Sequence, residues 1–121
     1  MGKENVLKDK SLLFALRIVN AYKFLTKEKN EFVLSKQLLK SGTSIGALVR
    51  EAEFAQSTLD FINKMSIALK ETNETEYWLI LLNKSEYIDD NGFASIKKDC
   101  QELLKLLIST INTSKKKINK N

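Results

Sequence analysis

"QLLKSGTSIGALVREAEFA", Gln37 to Ala55, contains Gly42 and Gly46, two of the chain's four glycines. Serines, a threonine and an alanine surround them. Such a composition suits either a turn that cradles phosphate or a helix against which another helix packs. The spacing separates the two. Leu38, Gly42, Ile45, Val49 and Ala52 fall on one face of a helix, and Ser41, Leu48 and Ala55 widen that face. Lys36, Lys40, Thr43 and Arg50 fall on the other side. No proline or Asn-Gly pair interrupts the run. A phosphate loop would need a preceding strand and a longer glycine spacing than G-x-x-x-G. The stretch therefore predicts a helix from Glu31 to Ala55, a kink at the glycines being the alternative. Each glycine costs roughly 1 kcal/mol against alanine in a helix interior, so Gly42 and Gly46 are candidates for close helix packing.

The same rhythm extends in both directions. Phe14, Ile18, Tyr22 and Leu25 mark a first helix from about Asp9 to Lys29. Leu12, Leu16 and Val19 lie off its stripe, so this helix is apolar on more than one face. Ser57 with Asp60 makes a capping-box-like start for a third helix over Thr58–Lys84. Its inner stripe is Phe61, Met65, Ala68, Thr72, Thr75, Leu79 and Leu82. "DDNG" at 89–92 reads as a turn. A last helix over Phe93–Ser114 carries Ile96, Cys100, Leu103, Leu107 and Ile111. The sequence predicts an all-α fold, an antiparallel up-down-up-down four-helix bundle over residues 1–114. Residues 115–121 read as a basic, disordered tail.

Composition narrows the chemistry. The chain has 121 residues, enough for one domain, and no histidine or proline. Lack of histidine removes the commonest general base and ordinary zinc or di-iron sites. The single cysteine, Cys100, sits on a buried stripe and reads as an inert core residue. No catalytic group, metal site or cofactor is expected, and the chain reads as a non-enzyme. No apolar run reaches the roughly 20 residues of a membrane span. "MGKENVLKDK" lacks the apolar core of a signal peptide, which points to a cytoplasmic protein.

The net charge is +5, and Lys115, Lys116, Lys117 and Lys120 account for most of it. With Arg50 they are the candidate nucleic-acid contacts. No base-stacking aromatic is interleaved with them in sequence, so contact would be with the phosphate backbone and would depend on salt. If helices two and three turn back near Ser57, Glu51 faces Lys64 and Ser44 faces Glu71. These four residues read as a semi-buried polar network that fixes the bundle's register. Were Glu51 buried, losing Lys64 would cost on the order of 3 kcal/mol. Phe54, Ile67 and Leu81 stray from the inner stripes. With Leu12 and Leu16 they form a candidate oligomer surface.

"QLLKSGTSIGALVREAEFAQSTLDFINKMSIALKETNETEYWLILL" (37–82) resembles the bacterial four-helix bundle proteins also known as 23S ribosomal RNA intervening-sequence proteins. "SLLFALRIVNAYKFL" (11–25) agrees as well. "SGTSIGA", Glu51 with Ala52, Ser57–Asp60–Phe61–Lys64, "ALKE" and "ETEYWL" fall in family order. Leu48 departs from the family's usual "GAN". The resemblance implies a bundle that assembles with itself, as a ring of five, and has no enzymatic activity. It also implies a more distant likeness to the accessory proteins of diversity-generating retroelements, which bind nucleic acid. Two functions follow as expectations. One is an oligomeric scaffold associated with RNA or DNA, or with a nucleic-acid enzyme. The other is an oligomeric protein–protein module without nucleic-acid affinity.

Overall fold

The computed structural model describes residues 2–119, with side chains from Val6 onward. Four helices follow one another: α1 Lys3–Lys27, α2 Leu34–Ala52, α3 Thr58–Lys84 and α4 Asp90–Asn119. Each packs on its neighbours in sequence, and α4 closes against α1, while the diagonal pairs stay apart. Cross-helix partners run in opposite directions. Lys8 meets Glu53 while Ile18 meets Gly42, and Ser41 meets Thr75 while Glu51 meets Lys64. The architecture is the expected antiparallel four-helix bundle. Among the described residues no helix is long and apolar enough to cross a membrane.

The core is the sum of four inner stripes. Leu7, Phe14, Ile18 and Leu25 come from α1, and Leu38, Ile45, Val49 and Ala52 from α2. Met65, Ala68, Leu79 and Leu82 come from α3, and Ile96, Cys100, Leu103, Leu107 and Ile111 from α4. α1 starts six residues before the expected Asp9, which brings Leu7 into this core. Tyr22, expected on the inner stripe, is only half-buried.

The segment from Ser41 to Ala47 is helical without a break. Its glycines differ in what they permit. A Cβ on Gly42 would stand 2.7 Å from Ile18 Cγ1 and 2.9 Å from Ile18 Cγ2. Isoleucine is β-branched and stiff at χ1, so that side chain cannot easily move aside. A Cβ on Gly46 would stand 3.4 Å from the Ser11 carbonyl oxygen, an ordinary contact. Close packing thus depends on Gly42, and Gly46 leaves room for one methyl group.

The helix ends explain the boundary differences. α2 begins at Leu34, not Glu31, because the Glu31 carboxylate caps it from outside. It accepts from the Val33, Leu34 and Ser35 amides at 3.1, 2.9 and 2.6 Å. These are donors that a helix start leaves without carbonyl partners. Burial alone would raise the pKa of this carboxyl, but the three amides and the Ser35 hydroxyl outweigh it and hold it below the ordinary carboxylate range. The capping box of α3 forms as expected, the Asp60 amide donating to Ser57 Oγ at 3.0 Å. "DDNG" is a helix start and not a turn. Asp89 Oδ1 accepts from the Gly92 amide at 2.7 Å, and α4 begins at Asp90. At its other end α4 continues through 115–119, where a disordered tail was expected.

Two measurements check these local arguments. Gly42→Ala should lower stability by about 1–3 kcal/mol through overpacking. Gly46→Ala should be neutral or stabilising, since it removes a helix-interior glycine without a clash. Equal denaturation midpoints for the two variants would contradict the packing difference. Glu31→Gln should cost about 1 kcal/mol at neutral pH. Because the folded pKa is depressed, the contribution of Glu31 is present above the unfolded value near 4.5. It is lost as pH falls through the folded value. Wild type and variant should therefore converge in stability under acid.

Candidate nucleic-acid interface

The four residues expected to form a polar network do not come together. Lys64 Nζ stands 4.0 Å from Glu51 Oε1, and the Glu51 side chain is 58% exposed. The pair lies at the rim of the α2–α3 contact and not within it. Ser44 Oγ donates to the Lys40 carbonyl oxygen at 2.6 Å and leaves Glu71 aside. The Glu71 carboxyl is pushed up, first by burial and then by Glu74, against the pull of Lys40 and Lys70. The polar link that does cross this interface is Thr75 Oγ1 to Ser41 Oγ, 3.0 Å and buried. Thr75 also hydrogen-bonds to the Glu71 carbonyl oxygen. Both residues stood on the inner stripes in the sequence. The register that pairs Glu51 with Lys64 also brings them opposite one another.

Cys100 is fully buried, with its thiol 3.5 Å from the Thr72 carbonyl oxygen. Burial, and secondarily Glu76, pushes its pKa up to about 12. A thiol so resistant to ionisation is not a nucleophile at neutral pH. Among the described residues no group of acidic or thiol side chains is arranged to hold a metal ion.

The topology does gather the basic candidates. α2 and α4 both end at the same end of the bundle, so Arg50 and Lys115–Lys117 share it. Lys120 lies outside the described residues. Since α4 is helical there, its lysines sit at fixed spacing. Lys98, Lys105 and Lys116, with Ser109 and Asn112 between them, trace one outward stripe at helical spacing. The acids of this helix are used elsewhere. Asp99 Oδ2 accepts from Arg17 Nη1 at 2.8 Å, and Glu102 Oε1 from Lys10 Nζ at 3.0 Å, across the α1–α4 seam. Among the described residues, Arg50 and Lys98, Lys105, Lys115, Lys116 and Lys117 have no carboxylate partner.

The apolar candidates divide. Leu12, Leu16, Phe54 and Ile67 are exposed, Phe54 at 83%. Leu81 is not; it is partly covered, at an intermediate level. Sequence reading overlooked Leu13, Leu59 and Tyr77, which are equally uncovered. Leu12 and Leu16 lie one turn apart on the outer side of α1.

The geometry resets one expectation. An exposed ion pair contributes about 0–1 kcal/mol. Lys64→Met should therefore shift the denaturation free energy by less than about 1 kcal/mol, not the larger loss a buried Glu51 would suffer. A loss of several kcal/mol on chemical denaturation would restore the buried-pair reading.

The comparisons with known proteins bear on this architecture as a whole. A structure from Bacteroides thetaiotaomicron VPI-5482, described as a protein with unknown function from the S23 ribosomal protein family, is 65% identical in sequence. It superposes with a TM-score of 0.91, covering 92% of this chain and 99% of its own. No curated protein matches the chain. The family model described as 23S rRNA-intervening sequence protein matches residues 3–109, from the first turn of α1 through the first two thirds of α4. With nearly the whole helical bundle matched, the chain belongs to the 23S rRNA-intervening sequence protein family.

Proposed function

We propose that this chain is a non-enzymatic, self-associating helical scaffold that binds nucleic acid through its phosphates. The observation that carries the nucleic-acid part is the charge arrangement of α4. Its Asp99 and Glu102 are neutralised by α1, while among the described residues its lysines have no carboxylate partner and sit on a continuous helix. Free lysines at fixed spacing suit a polyanion's backbone and read no base sequence. The self-association part rests on Leu12, Leu16 and Ile67, which the bundle leaves in water. The family description names 23S rRNA, which is in keeping with the nucleic-acid part alone. A closed ring of five comes from the resemblance alone. Such a ring would use unlike faces on adjacent subunits. It would also present the lysines in several copies, so weak phosphate contacts would add.

Light scattering behind size-exclusion chromatography tests the assembly, with a multiple of 13.8 kDa expected. A monomer at micromolar concentration would overturn self-association. RNA and DNA binding at about 50 and 200 mM salt tests the second part. Lys98→Gln, Lys105→Gln and Lys116→Gln should each lower affinity without regard to sequence, and each should flatten the salt dependence by about one phosphate contact. An intact oligomer that binds no nucleic acid would favour the protein–protein module instead.

A further inference from the structure

At the end of the bundle where α2 stops and α3 starts lies a cavity of about 410 Å³. This falls within the roughly 300–1,000 Å³ of small-molecule sites. Val49, Phe61 and Met65 give it an apolar floor, and Ser57, Ser114 and Lys117 give it polar walls. Ser114 is only 7% exposed, yet its hydroxyl has no hydrogen-bond partner among the described residues. One turn earlier on the same face of α4, Thr110 Oγ1 is buried and also unpartnered. Buried hydroxyls are normally paired, and that of Thr110 is sealed in, whereas Ser114 lines the cavity. Thr110, Ser114 and Lys117 step by four and three along α4, so its inner stripe turns polar only as it reaches this end.

The electrostatics of this end are not symmetric. Glu53 on the rim is held by Lys8 at 2.9 Å, and Asp60 Oδ2 accepts from the Gln56 amide at 3.1 Å. Among the described residues, Lys117 and Lys116 have no such partner. The start of α3, at Ser57 and Thr58, lines the cavity with the positive end of a helix dipole, which the Asp60 carboxylate in its first turn partly offsets. Phe54 protrudes from the adjoining turn. A purely apolar ligand would leave the Ser114 hydroxyl and Lys117 unmatched. An inorganic anion would leave the apolar floor in water.

One chemical unit satisfies all of these features: a flat ring with polar edges attached to a phosphate. Building on the nucleic-acid reading above, we infer that the end cavity takes a single unstacked base of a single-stranded nucleic acid. The base lies against Phe61 and Val49, and Ser114 hydrogen-bonds to its edge. Lys117 and the first turn of α3 hold the adjoining phosphate, and Phe54 offers its ring to a neighbouring base. Exposed aromatic rings beside cations favour single strands, because only unpaired bases present their faces. The α4 stripe supplies the sequence-blind attraction, and the cavity supplies the preference for single strands.

The test uses the full chain with labelled oligouridylate and oligothymidylate, and with duplexes of the same length, by fluorescence anisotropy. The single strands should bind about tenfold more tightly than the duplexes, the scale of one stacked base. Ser114→Ala, Lys117→Gln and Phe54→Ala should erode that preference. Ser114→Ala should leave the melting temperature nearly unchanged, since the hydroxyl lines the cavity and makes no hydrogen bond with the described residues. Lys98→Gln, towards the other end of α4, should weaken both strand forms equally. Equal binding of single strands and duplexes would overturn the cavity assignment while leaving the phosphate stripe standing. So would silent Ser114 and Lys117 variants. Failure to bind either form would remove the nucleic-acid reading itself.

Discussion

The approach of Ile18 to the bare backbone of Gly42 sets the spacing of the bundle. With 2.7 Å between the Ile18 side chain and the place where a Cβ would stand, α1 and α2 are closer than two ordinary side chains would allow. Ser11 beside Gly46 continues the contact towards the bundle end. Midway along α3, which packs on α2, the inner residues are small or polar: Ala68, Thr72 and Thr75. The Ser41–Thr75 hydrogen bond then fixes their register from within. The larger side chains, Phe14, Met65, Leu103 and Leu107, fill what space remains. The cost of Gly42 in a helix is met by the packing that only a missing side chain permits.

How much of this was legible depends on which interaction decides each feature. Periodicity is a local property, so the four stripes and the bounds of α3 could be read directly. The starts of α2 and α4 could not. Glu31 and Asp89 look like a helical residue and a turn residue, yet both act as caps from outside the helix. The cap is visible only in where their side chains reach. The polar network failed for a different reason. Antiparallel facing predicts proximity but not depth, and Glu51 and Lys64 face one another at the rim. The buried link falls instead to Ser41 and Thr75, whose side chains point inward. The basic residues were visible as composition. That those among the described residues lack carboxylate partners was not, because it follows from α1 reaching across to Asp99 and Glu102. The same holds for Ser114, whose missing partner is a fact of three dimensions.

The four interfaces are not alike in how they cohere. α1–α2 depends on close backbone approach, and α2–α3 on buried hydroxyls. α3–α4 pairs the Cys100 thiol with the Thr72 carbonyl, backed by Leu103 and Leu107. The α1–α4 interface is the loosest by backbone approach, and its cross-links are exposed ions. Exposed pairs hold geometry weakly and are screened by salt.

That loose seam also joins the first helix to the last, so it is the one interface that no short connection tethers. Regions with few buried contacts open at lower free energy than the rest of a domain. α1 and α4 should part locally before the bundle melts, with α2 and α3 remaining as a hairpin core. Amide hydrogens along the outer turns of α4 would then exchange ahead of those in α3. Added salt would widen the difference by screening Arg17–Asp99 and Lys10–Glu102. A polyanion lying on the α4 lysines would be repelled by Asp99 and Glu102 once these lost their α1 cations, so its arrival would favour the closed seam, and the two events would be thermodynamically linked.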